Sequence, residues 1–136
     1  MRTIKFRGKS IDSNEWLYGD LVRSSDMERC AILVNDRELY DECEVYPLSI
    51  GQFTGLYDKN GREIYEGDIV DYEDGVLDDV YKELGTINRG TILFSYGQFY
   101  VTNRNCVDMT DLISHDVNFD GEVIGNIHDD PELLKN

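Results

Sequence analysis

Two prolines, three cysteines and one tryptophan in 136 residues leave little material for a proline-rich, disulfide-rich or zinc-bound chain. Cys30, Cys43 and Cys106 are odd in number, widely spaced and without a C-x-x-C pair. That spacing argues against a disulfide framework and a zinc knuckle, and fits three ordinary thiols in a reducing cytoplasm. No stretch approaches the roughly 18 apolar residues of a membrane span, and the N-terminus has no apolar signal core, so no membrane association is expected. G-x-S-x-G, P-loop and G-x-G-x-x-G runs are all missing, which leaves hydrolase-elbow, nucleoside-triphosphatase and dinucleotide readings without residues. His115 and His128 are the two histidines; their separation provides neither H-x-x-x-H nor H-E-x-x-H, so surface or cap positions are expected for both.

Basic residues are also scarce. Thirteen Lys and Arg face 28 Asp and Glu, giving a net charge of −15. Such a field repels phosphate backbones and anionic membranes and attracts basic partners, so nucleic-acid binding is disfavoured. The imbalance is uneven, because "RTIKFRGK" at residues 2 to 9 carries four bases and no acid, whereas no Lys or Arg lies between Arg104 and Lys135.

What is present is a globular composition. At 40% hydrophobic with nine Tyr and five Phe, the chain can bury a core of its own within a single domain. "TIKFRGK" alternates Ile4 and Phe6 with Thr3, Lys5 and Arg7, which predicts a strand apolar on one face, with lysines suited to a sheet edge. "EWLYGDLV" (15–22) and "RCAILVN" (29–35) predict a hairpin across a polar link. "ECEVYPLSIGQFTGLY" (42–57) predicts short strands bent at Pro47, a candidate seam between subdomains 1–48 and 49–136. Val76, Val80 and Leu84 fall four apart between Asp74 and Gly85, the pattern of a short amphipathic helix. "GTILFSYGQFYVT" (90–102) is a hairpin around Tyr96-Gly97-Gln98, "MTDLISHDV" (109–117) a helical turn, and "GEVIGNI" (121–127) a last strand. Pro131 is placed to open a short terminal helix.

Chemistry is most concentrated in "YDKNGREIYEGDIVDY" (57–72), where Asp58, Glu63, Glu66, Asp68 and Asp71 surround two glycines. Asn60-Gly61 is a strong type I′ turn signal, and Asp58 can hydrogen-bond the backbone of that turn. The competing reading is a carboxylate metal site or an acid/base pair, which needs two or three of these groups to converge in a cleft. With no histidine nearby and carboxylates throughout the chain, turn and surface roles are preferred. Tyr96, Phe99 and Tyr100 suggest a base-stacking platform, but no interleaved Lys or Arg supplies its electrostatic half. Core packing with an outward Tyr is the simpler expectation.

The runs "IKFRGKSIDSNEWLYGDLV", "IGQFTGLYDKNGREIYEGDIV" and "GEVIGNIHDDPELLKN" resemble, in order, the YopX family of phage and prophage proteins. The acidic helix and the hydrophilic 103–120 segment look like lengthened connections between shared elements. The resemblance implies a mobile-element protein of the bacterial host cytoplasm, mostly β, with no established enzymatic role and no catalytic residues to transfer. "GDIV" is also similar to a strand opening in small SH3-like barrels. The expected fold is therefore mainly β: an N-terminal β portion packed beside a small, partly open SH3-like barrel built from residues 50 to 128, with one or two short helices. The expected function is a noncatalytic interaction module for a host or phage protein, with no catalytic, cofactor or metal residues assigned. The alternatives are a small enzyme using the 58–71 carboxylates with a divalent metal, or a small-barrel nucleic-acid-binding accessory protein. Unpaired strand edges add the expectation of a homo-oligomer.

Overall fold

A computed structural model describes residues 2–26, 28–36, 39–73, 87–102, 107–108 and 121–135. The helix expected at 74–85, the turn at 109–117, Cys106 and His115 lie outside them. The chain divides into two compact units, Met1–Gly55 and Leu56–Asn136. Both are built from antiparallel strands, so the fold is mainly β, and among the described residues no closed barrel forms. Helical structure in these residues is limited to two 3₁₀ turns, Pro47–Ser49 and Pro131–Leu134. Each has proline in its first turn, where the missing N–H has no partner to lose. No helix among the described residues is long and apolar enough to cross a membrane.

The first unit holds β1 (Phe6–Lys9), β2 (Trp16–Arg23), β3 (Cys30–Asp36), β4 (Leu39–Val45) and the start of β5 (Gly51–Tyr57), in spatial order β4-β3-β2-β1-β5. The period of two sends Phe6, Leu17, Leu21, Cys30, Ile32, Val34 and Val45 to one packed face, joined by Ile50. β1 lies between β2 and β5, so it is interior, not the edge its lysines suggested. The cations are accommodated on aromatic rings instead. The Arg7 guanidinium sits 4.8 Å from the Trp16 ring centroid, with Lys9 5.7 Å from the same ring and Lys5 5.4 Å from that of Phe53. Arg7 is only 5% exposed; its long stem packs as an apolar group while its head stays on the ring face.

The sheet curls strongly enough for the end of β4 to meet the end of β1. Ser10 and Val45 form a bridge, flanked by Tyr46 N–H donating to the Lys9 carbonyl at 2.9 Å and Ile11 N–H to the Glu44 carbonyl at 3.1 Å. Gly19 permits the curl, because a Cβ there would stand 2.2 Å from the Leu33 carbonyl oxygen.

In the second unit β6 (Glu63–Tyr65) precedes a five-stranded sheet of β7 (Asp68–Glu73), β8 (Ile87–Ser95), β9 (Gln98–Thr102), β10 (Val107–Asp108) and β11 (Gly121–Asn126), ordered β10-β9-β8-β7-β11. Ile64, Val70, Tyr72, Ile92, Val101 and Val123 form its core, with Leu56 and Phe99 packed against them. Four of these, Ile64, Val70, Ile92 and Val101, are fully buried, each contributing about 2 kcal/mol of hydrophobic free energy. The β8–β9 hairpin closes through Tyr96 (φ 52) and Gly97 (φ 78) between the paired Ser95 and Gln98. Two consecutive positive φ values define the type I′ geometry that matches strand twist.

Candidate functional site

The five carboxylates of residues 58 to 71 go to separate tasks. Asp58 is 2% exposed. Its Oδ1 accepts the N–H groups of Asn60 and Arg62, both at 2.9 Å, and its Oδ2 accepts that of Val123 at 3.0 Å. The backbone closes the same turn: Gly61 N–H donates to the Asp58 carbonyl at 2.9 Å, and Asp58 N–H to that of Arg62 at 2.8 Å. Gly61 has φ 81, whereas Asn60 is not among the residues with positive φ. The turn is therefore a type I turn ending on a left-handed glycine, not the type I′ turn expected from Asn-Gly. An aspartate in the first position bonding forward along the backbone stabilises that alternative.

Asp68, also 2% exposed, accepts Tyr65 N–H at 2.8 Å and so closes the bend through Glu66 and Gly67. Gly67, at φ 92, donates to the Ile92 carbonyl and accepts from Ile127. Asp71 makes a two-pronged ion pair with Arg89, its Oδ1 2.7 Å from Nε and its Oδ2 3.0 Å from a terminal nitrogen. These bonds push the guanidinium's already high pKa further up. The third Arg89 nitrogen donates to the Leu133 carbonyl at 3.1 Å, fastening the C-terminal turn to β8. Across β7 and β11, Asp71 stands opposite Glu122; Lys59, 3.7 Å from Glu122, offsets that like-charge pair from the far side. Glu63 accepts the Tyr65 hydroxyl at 3.3 Å, and Glu66 lies half-buried in its bend.

Among the described residues, no three His, Cys, Asp or Glu side chains are grouped to hold a metal ion. The other candidates disperse too. Phe99 packs on the core with Phe94 edge-on, ring centroids 4.9 Å apart; the next residue, Tyr100, takes the opposite face, and Tyr96 is fully exposed at the hairpin tip. The three rings share no face. His128 lies in a turn whose N–H groups, its own and that of Asp129, are accepted by Asn126 Oδ1 at 3.0 and 2.9 Å. Cys30 and Cys43 are free thiols, the first buried and the second half-buried.

What the sequence did not disclose is how differently the outer strands of the two sheets are treated. β11 is sealed along its outer side. Gly121 C=O accepts Lys59 N–H, Val123 N–H goes to Asp58 and Asn126 N–H to Asp130, with a bulge between Val123 and Gly125. β4 is sealed only at its end, where Glu44 C=O and Tyr46 N–H meet Ile11 and Lys9. Alternation along the strand turns the backbone groups of Tyr40 and Glu42 to the same outer side, where no further strand is present among the described residues. Beside that edge lies a shallow groove of about 490 Å³ lined by Val22, Arg23, Ser24, Arg29, Cys30, Ala31, Glu42 and Glu44.

Comparison with known proteins adds family and fold. The model of the YopX protein family matches residues 5–135. The crystal structure of protein EF1440 from Enterococcus faecalis is similar at 25% sequence identity and a TM-score of 0.58, covering 99% of this chain and 100% of that one. No curated protein matches.

Proposed function

The chain belongs to the YopX family, and from that premise we propose that it is a noncatalytic interaction module that captures a basic protein partner, a phage or prophage setting being part of the proposal. The observation that carries this reading is the division of labour among the carboxylates. The two buried ones, Asp58 and Asp68, are committed to backbone N–H groups. Asp12, Glu15, Asp20, Glu28, Glu42 and Glu44 are exposed in a chain of net charge −15. Surface charge of one sign accelerates and orients encounter with a partner of the other. A cytoplasmic setting is part of the proposal and agrees with the free thiols at Cys30 and Cys43.

Affinity capture from cells carrying the element, with this protein as bait, tests the reading. One stoichiometric partner with a basic surface, released as salt is raised, supports it. Recovery of nucleic acid, or a metal-dependent thermal shift abolished by Asp68→Ala, would replace it with the nucleic-acid-binding or metalloenzyme alternative.

A further inference from the structure

We propose that β4 is a docking edge which takes up an extended segment of the partner as an added antiparallel or parallel strand, with basic side chains at alternate positions. This rests on the interaction-module reading and names where and how the partner is held. Three observations converge on β4. It is the outermost strand of its sheet, and Tyr40 and Glu42 present their backbone groups outward with no further strand among the described residues. The second unit's β11, by contrast, has its outer groups taken up by Lys59, Asp58 and Asp130.

The second observation is the chemistry of the face. Glu42 and Glu44 are two apart, so they share one face of the sheet. On that face Glu44 is opposite Ala31, which is opposite Val22, and Glu42 is opposite Leu33. The small Ala31 leaves the groove floor low between them. A lysine or arginine from an added strand therefore finds Glu42 directly across, Glu44 on the diagonal and an apolar floor for its methylenes. Arg29 stands diagonal to Glu44, which biases the basic positions toward Glu42 and so favours one direction and register of the incoming segment.

The third observation excludes the simplest competitor. A second copy pairing β4 with β4 would bring Asp41, Glu42 and Glu44 of each chain against one another, and like charges directly opposite destabilise a strand pair. The edge is suited to a basic strand from another protein, not to itself.

The test uses the full chain and two short synthetic peptides of identical composition, one alternating lysine with valine and one with its lysines contiguous. Binding is measured by fluorescence anisotropy at about 0.15 M salt, and amide hydrogen exchange is read with and without peptide. The alternating peptide is expected to bind roughly tenfold more tightly, since in one register it sets a lysine across from Glu42 and within diagonal reach of Glu44 while its valines turn to the other face. It should slow exchange at Tyr40 and Glu42. Glu42→Lys with Glu44→Lys should cost at least that tenfold, and Glu42→Pro, which deletes an outward N–H, should abolish the protection. If Glu42→Pro fails to fold, the double lysine variant still decides. Equal affinity for the two peptides without new amide protection overturns strand addition while leaving an acidic interaction surface standing. Failure of both peptides to bind, with no basic partner captured, overturns both readings. Protection of Tyr40 and Glu42 by self-association alone would replace the partner with a second copy.

Discussion

Asp58 supplies the sharpest test of the structure, because a substitution that looks conservative in the sequence is not conservative in the fold. A turn aspartate normally tolerates asparagine, whose amide keeps one acceptor oxygen. Here both oxygens are in use, Oδ1 on Asn60 and Arg62 and Oδ2 on Val123. In Asp58→Asn an NH₂ group must face one of these N–H donors. If it faces Val123, a buried donor is left unpaired, at about 1–3 kcal/mol; if the amide flips, two turn donors lose their acceptor. We expect a loss of about 2 kcal/mol. Asp58→Ala removes all three bonds, and at roughly 1 to 1.5 kcal/mol each should cost about 3–4 kcal/mol, lessened where water reaches the exposed Asn60. With a urea dependence of about 1–2 kcal/mol per M, the asparagine variant's midpoint should fall by about 1–2 M. Trp16 lies in the first unit, so the readout is circular dichroism together with amide exchange at Val123 and Asn60. An asparagine variant within about 0.5 kcal/mol of the parent, with Val123 still protected, would refute the two-oxygen account.

Three further outcomes are expected. Gly61→Val should cost about 1–2 kcal/mol in chemical denaturation, from backbone strain alone, since a Cβ at Gly61 meets nothing within 4 Å; a neutral result would mean that the turn rearranges freely. Tyr96→Asn should raise stability by about 1 kcal/mol, because a tyrosine held at φ 52 gives way to a residue that tolerates the left-handed region, and a lower melting temperature would contradict this. Asp26 has a pKa below its ordinary 3.8, chiefly through the Ser24 hydroxyl and next through Glu28 N–H. The folded value is the lower one, so its contribution is present above 3.8 and lost as pH falls through the folded pKa. An NMR titration should place the Asp26 midpoint below 3.8 and move it up in Ser24→Ala, and a midpoint at or above 3.8 would be inconsistent with the hydrogen bonds.

The strands were legible where local pattern decides them. "EWLYGDLV", "RCAILVN" and "GTILFSYGQFYVT" are short apolar and aromatic runs set off by polar links or a glycine turn, and their hairpins need only nearby residues to register. Their order in space was not legible. Lys5 and Lys9 flank a strand with the composition of an edge, yet β1 is interior, because Trp16 and Phe53 from its two neighbours supply ring faces for the cations. Those rings lie 7 and 48 residues away, and nothing in "TIKFRGK" announces them. Turn type failed for a similar reason: Asn60-Gly61 carries a type I′ preference, but the preceding Asp58 bonds Asn60 and Arg62 and selects the other geometry. Local propensity names the turn; the side chain before it chooses the form.

The same limit applies more strongly to function. A run of carboxylates has one appearance in sequence whether its members converge, spread over a surface or stitch backbone together. Asp58 separates these readings only through Val123, 65 residues away, where a carboxylate oxygen occupies the place of a neighbouring strand's carbonyl. That substitution closes the edge of β11 without adding a strand, as bulges and covering loops do elsewhere. Glu42 and Glu44, also carboxylates but not singled out in the sequence, lie on a strand sealed at Glu44 by Ile11, while at Tyr40 and Glu42 no further strand is present among the described residues. On the strand-addition proposal the distinction between the two groups is one of backbone accounting: an acid whose oxygens take up N–H groups is structural, and one beside outward groups that no described strand meets is placed to receive another chain. That proposal puts the partner not at the densest acidic motif but at the sparser β4, where charge coincides with outward backbone groups that no described strand meets.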